Sequence, residues 1–316
     1  MGRCPTEGYF VKKNALIFPG QGAQYVGMGK EIASVSSEAR QTFEEADDIL
    51  SENLSNIIFE GPEEELIKTK NSQLGIFVTS VAILRSLPPL KPIVCSGLSL
   101  GEYTALYATG RLSFKDTLLL VQKRSQYMNE ACESTQGAMS AVLGMSADEI
   151  DAALQGIPQV WVANYNCPGQ IVISGTEAGV DAASIKLKSV GAKRVIPLKV
   201  HGAFHSGLMQ MAQDLLSPYV QAAPLVESSV GFAMNATGGF VSDSAEIKRQ
   251  LISQVTQSVR WEQGIRAIDL IGVDQYIEIG CGKTLSGFNR KIGVLVPTIS
   301  IDKLSERDEF LRQLES

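Results

Sequence analysis

The sequence predicts an α/β fold, in which a mostly parallel sheet is built by two chain segments and a small ferredoxin-like unit is inserted between them. Three observations carry this expectation. Strand-like and helical runs alternate at both ends of the chain, which favours parallel pairing through helical crossovers. The middle reads β-α-β-β-α-β with no strand left over, the order of the ferredoxin-like unit. Finally, "CSGLSLGEYTAL" (95–106) places a small-residue turn between a strand-like run and a helix-like one. The expected division is a first core part over 14–134, an insert over 135–201 and a second core part over 202–316.

The elements follow from local signals. "NALIF" (14–18) is strand-like and runs into the glycine-rich turn "PGQGAQYVGMG". Helices are expected over 38–53 and over 73–86, the second broken by Pro88-Pro89. Pro92 to Cys95 form the next strand. Ser113 and Asp116 make a helix start, and an amphipathic pattern continues to Glu133. Within the insert, "AMSAVLGM" is a strand and "SADEIDAALQ" a helix opened by a Ser-x-x-Glu box. "QVWVANY" and "QIVISG" are strands joined by the turn "NCPG". "EAGVDAASIKLKSVG" is a helix ending at glycine, and "KRVIPLKV" is a strand. Helices at 206–221 and 243–257 and strands "QYIEIG" and "VPTISI" complete the pattern.

Bulk properties narrow the function. The 316 residues are 44% apolar and 20% charged, a globular composition. A net charge of −6 and a pI near 5.2 argue against nucleic acid as a bulk partner. No apolar run approaches the roughly 18 residues of a membrane span. The opening "MGRCPTEGYFVKKN" lacks the apolar core of a secretory signal. Five cysteines without a C-x-x-C suggest neither a disulfide framework nor a zinc site. A reducing, cytoplasmic setting is expected, and a processed organellar form has the same signature.

Three glycine-rich stretches compete for the chemistry. "GCGKT" (280–284) fails as a phosphate loop because Ile277 stands where the pattern needs glycine. "GQGAQY" resembles a dinucleotide fingerprint, yet Tyr25 replaces its third glycine. Gly97-Leu98-Ser99-Leu100-Gly101 differs, because a nucleophile elbow needs a strand, a tight turn and a helix, and all three are expected here. Ser99 would need a base, and the chain has only His201 and His205, between which spacing does not choose. Arg124 has Leu120, Val121, Tyr127 and Met128 as its helical neighbours, so it must either snorkel or find an anion. A nucleotide-binding protein built on the 14–29 turn is the rival from another class.

At this point the blocks "FPGQGAQYVGMG", "GLSLGEY", "VQKRSQYM", "NYNCPGQIVISG", "GAFHSGLM", "QVTQSVRW" and "EIGCGKTLSGF" matter together. In order, along nearly the whole chain, they resemble the malonyl-CoA:acyl-carrier-protein transacylase family. The resemblance implies a hydrolase-like α/β core with a ferredoxin-like insert. It implies transfer of malonyl from malonyl-CoA to the phosphopantetheine thiol of acyl carrier protein; a monomer without cofactor or metal is expected. It implies that Ser99 takes the malonyl group as an ester and that His205 is the base. Arg124 would hold the malonyl carboxylate, and Gln21 with the N–H of Leu100 would form the oxyanion hole. Gln254 falls where the family orients its histidine, with Gln257 as the rival position.

Three residues depart from the family pattern. Leu98 replaces a histidine, Cys281 a proline, and His201 a small residue. The resemblance extends to related polyketide acyltransferases, which tend to carry phenylalanine in this block when malonyl-selective, and on that likeness Phe204 implies malonyl over α-methylated units. A serine esterase or thioesterase of the same fold is the rival within serine chemistry, but it would leave Arg124 without a role. Lys186, Lys188, Lys193, Arg194 and Lys199 reverse the chain's negative charge locally and are expected to dock an acidic carrier protein. Lys283, Arg290 and Lys291 are the second choice.

Overall fold

The computed structural model describes residues 12–200 and 202–315; Cys4 and His201 lie outside them. Among these described residues, ten strands form two sheets. β1 (Asn14–Phe18), β2 (Val94–Gly97), β7 (Gly231–Met234), β8 (Gly239–Phe240), β9 (Gln275–Ile279) and β10 (Thr298–Ile301) make the larger, in the order β10-β9-β1-β2-β7-β8. All neighbours are parallel except β7 and β8. β1 and β9 are buried at every position, as strands covered on both faces must be. The helix Thr69–Arg85 is buried on every side from Asn71 to Ile83, so its start carries no amphipathic signature and lies four residues before the expected one.

β3 (Gly137–Leu143), β4 (Val160–Cys167), β5 (Gln170–Thr176) and β6 (Arg194–Pro197) form the second sheet, antiparallel throughout, in the order β4-β5-β3-β6. With the helices Ala147–Leu154 and Glu177–Ser189, this is the ferredoxin-like arrangement. It encloses its own apolar cluster around Val142, Ile150, Ile173 and Leu187. Ser146 and Glu149 close a reciprocal capping box.

The α/β class and the ferredoxin-like strand order agree with the sequence reading. Several elements do not. β7 and β8 were not expected, nor were the helices Trp261–Leu270, Thr284–Ile292 and Leu304–Glu315. β7 is four residues long and owes its strand character to pairing with β2. The helix expected to reach 257 stops at Ser253. To continue, the carbonyl of Gln254 would have to accept from the residue four ahead, and it is taken by His205 Nδ1. No helix among the described residues is long and apolar enough to cross a membrane.

Sheet and elbow meet at contacts only glycine permits. A Cβ on Gly97 would lie 2.0 Å from the Gly101 backbone, and one on Gly101 would lie 2.2 Å from the Phe18 carbonyl oxygen. Gly101→Ala should therefore cost about 2–3 kcal/mol or more in a denaturant titration. Gly287→Ala is the control, since its Cβ would meet open space inside a helix. It should be neutral or stabilise by up to about 1 kcal/mol. Equal stability of the two variants would remove the packing argument for the elbow glycines.

Candidate active site

Ser99 sits between β2 and the helix Gly101–Ala108 with φ of +52°, a left-handed conformation that a non-glycine residue holds only under constraint. The constraint is a set of backbone clamps. Leu98 N donates to Phe18 O at 3.0 Å. Ser99 N donates to Asn235 Oδ1 at 2.6 Å, while Asn235 Nδ2 donates to Gly97 O at 2.7 Å. Gln254 Nε2 donates to Ser99 O at 2.9 Å. The hydroxyl is thereby presented at the carboxyl ends of the parallel strands, where open α/β sheets place their clefts.

His205, also left-handed at φ +55°, brings Nε2 to 2.8 Å from Ser99 Oγ. Its Nδ1 lies 2.8 Å from Gln254 O; that carbonyl can only accept, so Nδ1 carries the proton and Nε2 offers its lone pair to the serine. Burial holds the imidazole down to about 4, aided by the positive charge of Arg124 and opposed by the carbonyls of Gln254 and Gln257. The Gln257 side chain is exposed, so only its backbone bears on the site.

Arg124 does not snorkel. It is 0% exposed, and the burial that lowers its pKa is opposed by Tyr103 and Glu102. Nη1 donates to Gln73 Oε1 at 2.5 Å, and Nη2 to both Gln254 Oε1 at 2.9 Å and Ser99 Oγ at 3.0 Å. The Tyr103 ring lies 5.4 Å from the guanidinium carbon, and Nε has no hydrogen-bond partner among the described residues. Every acceptor bonded to this cation is neutral.

A cavity of about 850 Å³ opens beside these groups. Gln21, Ser99, Phe204 and His205 line it, as do Met139 and Val172 of the second sheet. The Gln21 side chain makes only long contacts, to Thr69 Oγ1 at 3.5 Å and Gln73 Nε2 at 3.4 Å. The backbone N–H groups of Gln21 and Leu100 meet no protein acceptor among the described residues. Leu98 also lines the cavity. Cys281 is buried with Sγ 3.2 Å from Met28 Sδ, away from the serine.

The structure thus gathers Ser99, His205, Arg124 and Gln254 into one bonded group, with Gln21 on the cavity wall. It adds Asn235, Gln73 and Glu102, which the sequence reading did not assign. Asn235 follows the unexpected strand β7, so nothing marked it. Glu102 had a signal of the same kind as Arg124, a charge inside the otherwise apolar run "GEYTALYA". It is 0% exposed and pushed up to about 8 by burial, against the pull of the Asn235 amide, Arg124 and Gln254. Chemically, the group offers a hydroxyl with a neutral base on one side and a buried cation on the other.

Comparison with known proteins gives a consistent picture. A family model described as an acyl transferase domain matches residues 15–279. A malonyl CoA-acyl carrier protein transacylase of Bacillus subtilis (strain 168) is 43% identical over 297 residues, covering 92% of this chain and 94% of the relative. The crystal structure of an acyl-carrier-protein-S-malonyltransferase from Bartonella henselae superposes with a TM-score of 0.91 at 36% identity, covering 96% of this chain and all of that one. A malonyl-transacylase solved in complex with its type II PKS acyl-carrier protein matches with a TM-score of 0.91 at 33% identity, over 95% and 99% of the two chains.

The low pKa of His205 makes a prediction about the base form. A depressed pKa keeps Nε2 unprotonated as pH falls, so the serine should stay activated below the ordinary histidine midpoint of 6.5. Inactivation by a serine-directed sulfonyl fluoride, measured in short pulses, should lose half its rate near pH 4. A midpoint at 6.5 would show that burial does not hold His205 neutral.

Proposed function

The chain belongs to the acyl transferase family, and on that footing we propose that it is an enzyme that moves malonyl from malonyl-CoA to the phosphopantetheine thiol of an acyl carrier protein, supplying fatty-acid chain elongation. The observation that carries this reading is the buried guanidinium of Arg124 beside Ser99 Oγ, bonded only to neutral acceptors. An acyl group ending in a carboxylate supplies the missing charge, and a planar guanidinium suits it with two parallel hydrogen bonds. The esterase reading leaves this cation unused. The nucleotide-binding reading is disfavoured because the Gly20–Gly22 turn lines the same cavity as Ser99.

The reaction proceeds in two transfers. His205 Nε2 takes the Ser99 proton as Oγ attacks the thioester carbonyl. The tetrahedral oxyanion lies against the N–H groups of Gln21 and Leu100, each donor of this kind being worth about 3 kcal/mol of barrier. Collapse breaks the C–S bond, and the departing thiolate takes the proton from His205. The carrier thiol then enters, gives its proton to His205 and attacks the ester, and Ser99 regains its proton as it leaves. Gln254 O holds the imidazole in the required tautomer throughout, a task that a carboxylate performs in Ser-His-Asp enzymes.

For the carrier, Lys186, Lys188, Lys193, Arg194 and Lys199 are all exposed, and Lys199 also lines the cavity. They carry the sign an acidic partner requires. Lys283 is tied to Glu306 at 2.5 Å and Lys291 to Gln170 at 2.9 Å, which makes the C-terminal group the less free alternative.

Two experiments test this reading. Mass spectrometry after mixing with malonyl-CoA should find one malonyl ester, on the peptide carrying Ser99. Ser99→Ala should abolish the adduct and His205→Ala should slow it severely, both with the fold intact; an adduct persisting in Ser99→Ala would eliminate Ser99 as the nucleophile. Arg124→Ala should cost malonyl transfer about 3–5 kcal/mol, the loss for stranding a buried charge, and acetyl transfer far less. Equal losses in kcat/KM for the two thioesters would refute the carboxylate role.

A further inference from the structure

Glu102 makes no contact with His205 Nδ1, which is held by a carbonyl, so its burial needs another explanation. Each of its carboxyl oxygens accepts one hydrogen bond. Oε1 accepts from the backbone N–H of Asn235 at 2.5 Å, and Oε2 accepts from Gln254 Nε2 at 2.7 Å. These are the two residues that clamp the Ser99 backbone, Asn235 at its N–H and Gln254 at its carbonyl. Gln254 is fully committed. Its Nε2 donates to Ser99 O and Glu102, with Asn235 Oδ1 at a longer 3.4 Å, and its Oε1 accepts from Arg124 Nη2 at 2.9 Å.

A glutamine side chain can turn over, exchanging its donor and acceptor ends. If Gln254 did so, Nε2 would face the Arg124 guanidinium, donor against donor, and Oε1 would face the Ser99 carbonyl and, in its ionised form, the Glu102 carboxylate, acceptor against acceptor. Glu102 and Ser99 O therefore decide which end of Gln254 the guanidinium meets. We propose that Glu102 is a positioning residue for acyl selectivity: by accepting from Gln254 Nε2 it keeps Oε1 on Arg124, so that the guanidinium stays aimed beside Ser99 Oγ. This rests on the malonyl-transfer reading and deepens it. Arg124 would select a carboxylate-bearing acyl group only while Glu102 holds the amide between them.

Glu102→Gln, an isosteric change, tests the relay. The new amide must turn its NH2 towards one of two donors, Asn235 N or Gln254 Nε2. The Asn235 donor is fixed backbone, so the conflict falls on the Gln254 side chain and displaces it from Arg124. An acetyl group has no carboxylate and does not depend on that contact. The preference for malonyl-CoA over acetyl-CoA, as a ratio of kcat/KM for Ser99 acylation, should fall roughly tenfold or more, the factor for losing a charge-assisted hydrogen bond. Acetyl transfer should change by only a few-fold. Glu102→Asp, shorter by one methylene, should lower the ratio in the same direction and serves if the first variant does not fold.

A ratio within twofold of wild type in a folded variant overturns the proposal. So do equal losses for both thioesters, which would make Glu102 a support of the elbow alone, and so does failure of both variants to fold. A wild-type protein that forms no malonyl ester on Ser99 would instead end the transfer reading itself, so the two failures are distinguishable.

Discussion

The constraint on which this site depends is a full positive charge held out of water with no carboxylate bonded to it. Arg124 is completely buried, and its hydrogen-bond partners are two glutamine oxygens and a serine hydroxyl. Removing an ion from water costs several kcal/mol even after relaxation, and neutral acceptors offset only part of that. The Tyr103 ring face contributes a further share, and Glu102 stands one residue away behind Gln254. A direct ion pair would stabilise the fold more, but it would also occupy the guanidinium. Neutral partners keep the cation in place and leave its charge unmatched beside the serine hydroxyl that lines the cavity.

Holding that cation beside a reactive hydroxyl requires the elbow, and the elbow requires the parallel sheet. β1 fixes the turn from one side through Phe18 O, which accepts from Leu98 N and leaves no room for a side chain at Gly101. β7 fixes it from the other side through Asn235, the residue immediately beyond the strand, whose amide spans Ser99 N and Gly97 O. A serine in left-handed backbone geometry persists because several independent bonds over-determine it. The same bonds give the strain a use, since they raise the hydroxyl above the strand ends.

The sequence made the strand alternation, the ferredoxin-like insert and the elbow legible because each has a local signature: residue type, period, or glycine at a fixed offset. Ser99 and Arg124 stood out for the same reason, one inside a strand–turn–helix context and the other as a charge on an apolar stripe. The choice of His205 over His201 came from resemblance to a family and not from spacing. What stayed hidden was set by contacts far apart in the chain. Asn235 lies 136 residues from Ser99. β7 is too short to show a period, and the early end of the helix at Ser253 follows from a hydrogen bond to His205, 49 residues away. Gln254 could be placed by resemblance as the residue that orients the histidine. That its side chain also ties Arg124, Glu102 and the Ser99 carbonyl together has no signature in one dimension.

The electrostatics of the site then follow from its geometry. His205 Nε2 and Arg124 Nη2 both address Ser99 Oγ, at 2.8 and 3.0 Å, so an imidazolium formed there would stand close to a guanidinium. Burial penalises the charged imidazole, and the like charge of Arg124 opposes it further, which is why the imidazole is held neutral at rest. General-base catalysis nevertheless requires that it become positive in the transition state. In the proposed reaction the substrate brings the remedy. A malonyl carboxylate on Arg124 offsets the guanidinium charge at the moment His205 must accept a proton, and the oxyanion adds a second negative charge nearby. An acetyl group brings only the oxyanion. On that proposal the buried arginine would act twice on the chosen acyl group, once by binding its carboxylate and once by releasing the histidine from repulsion when that carboxylate arrives.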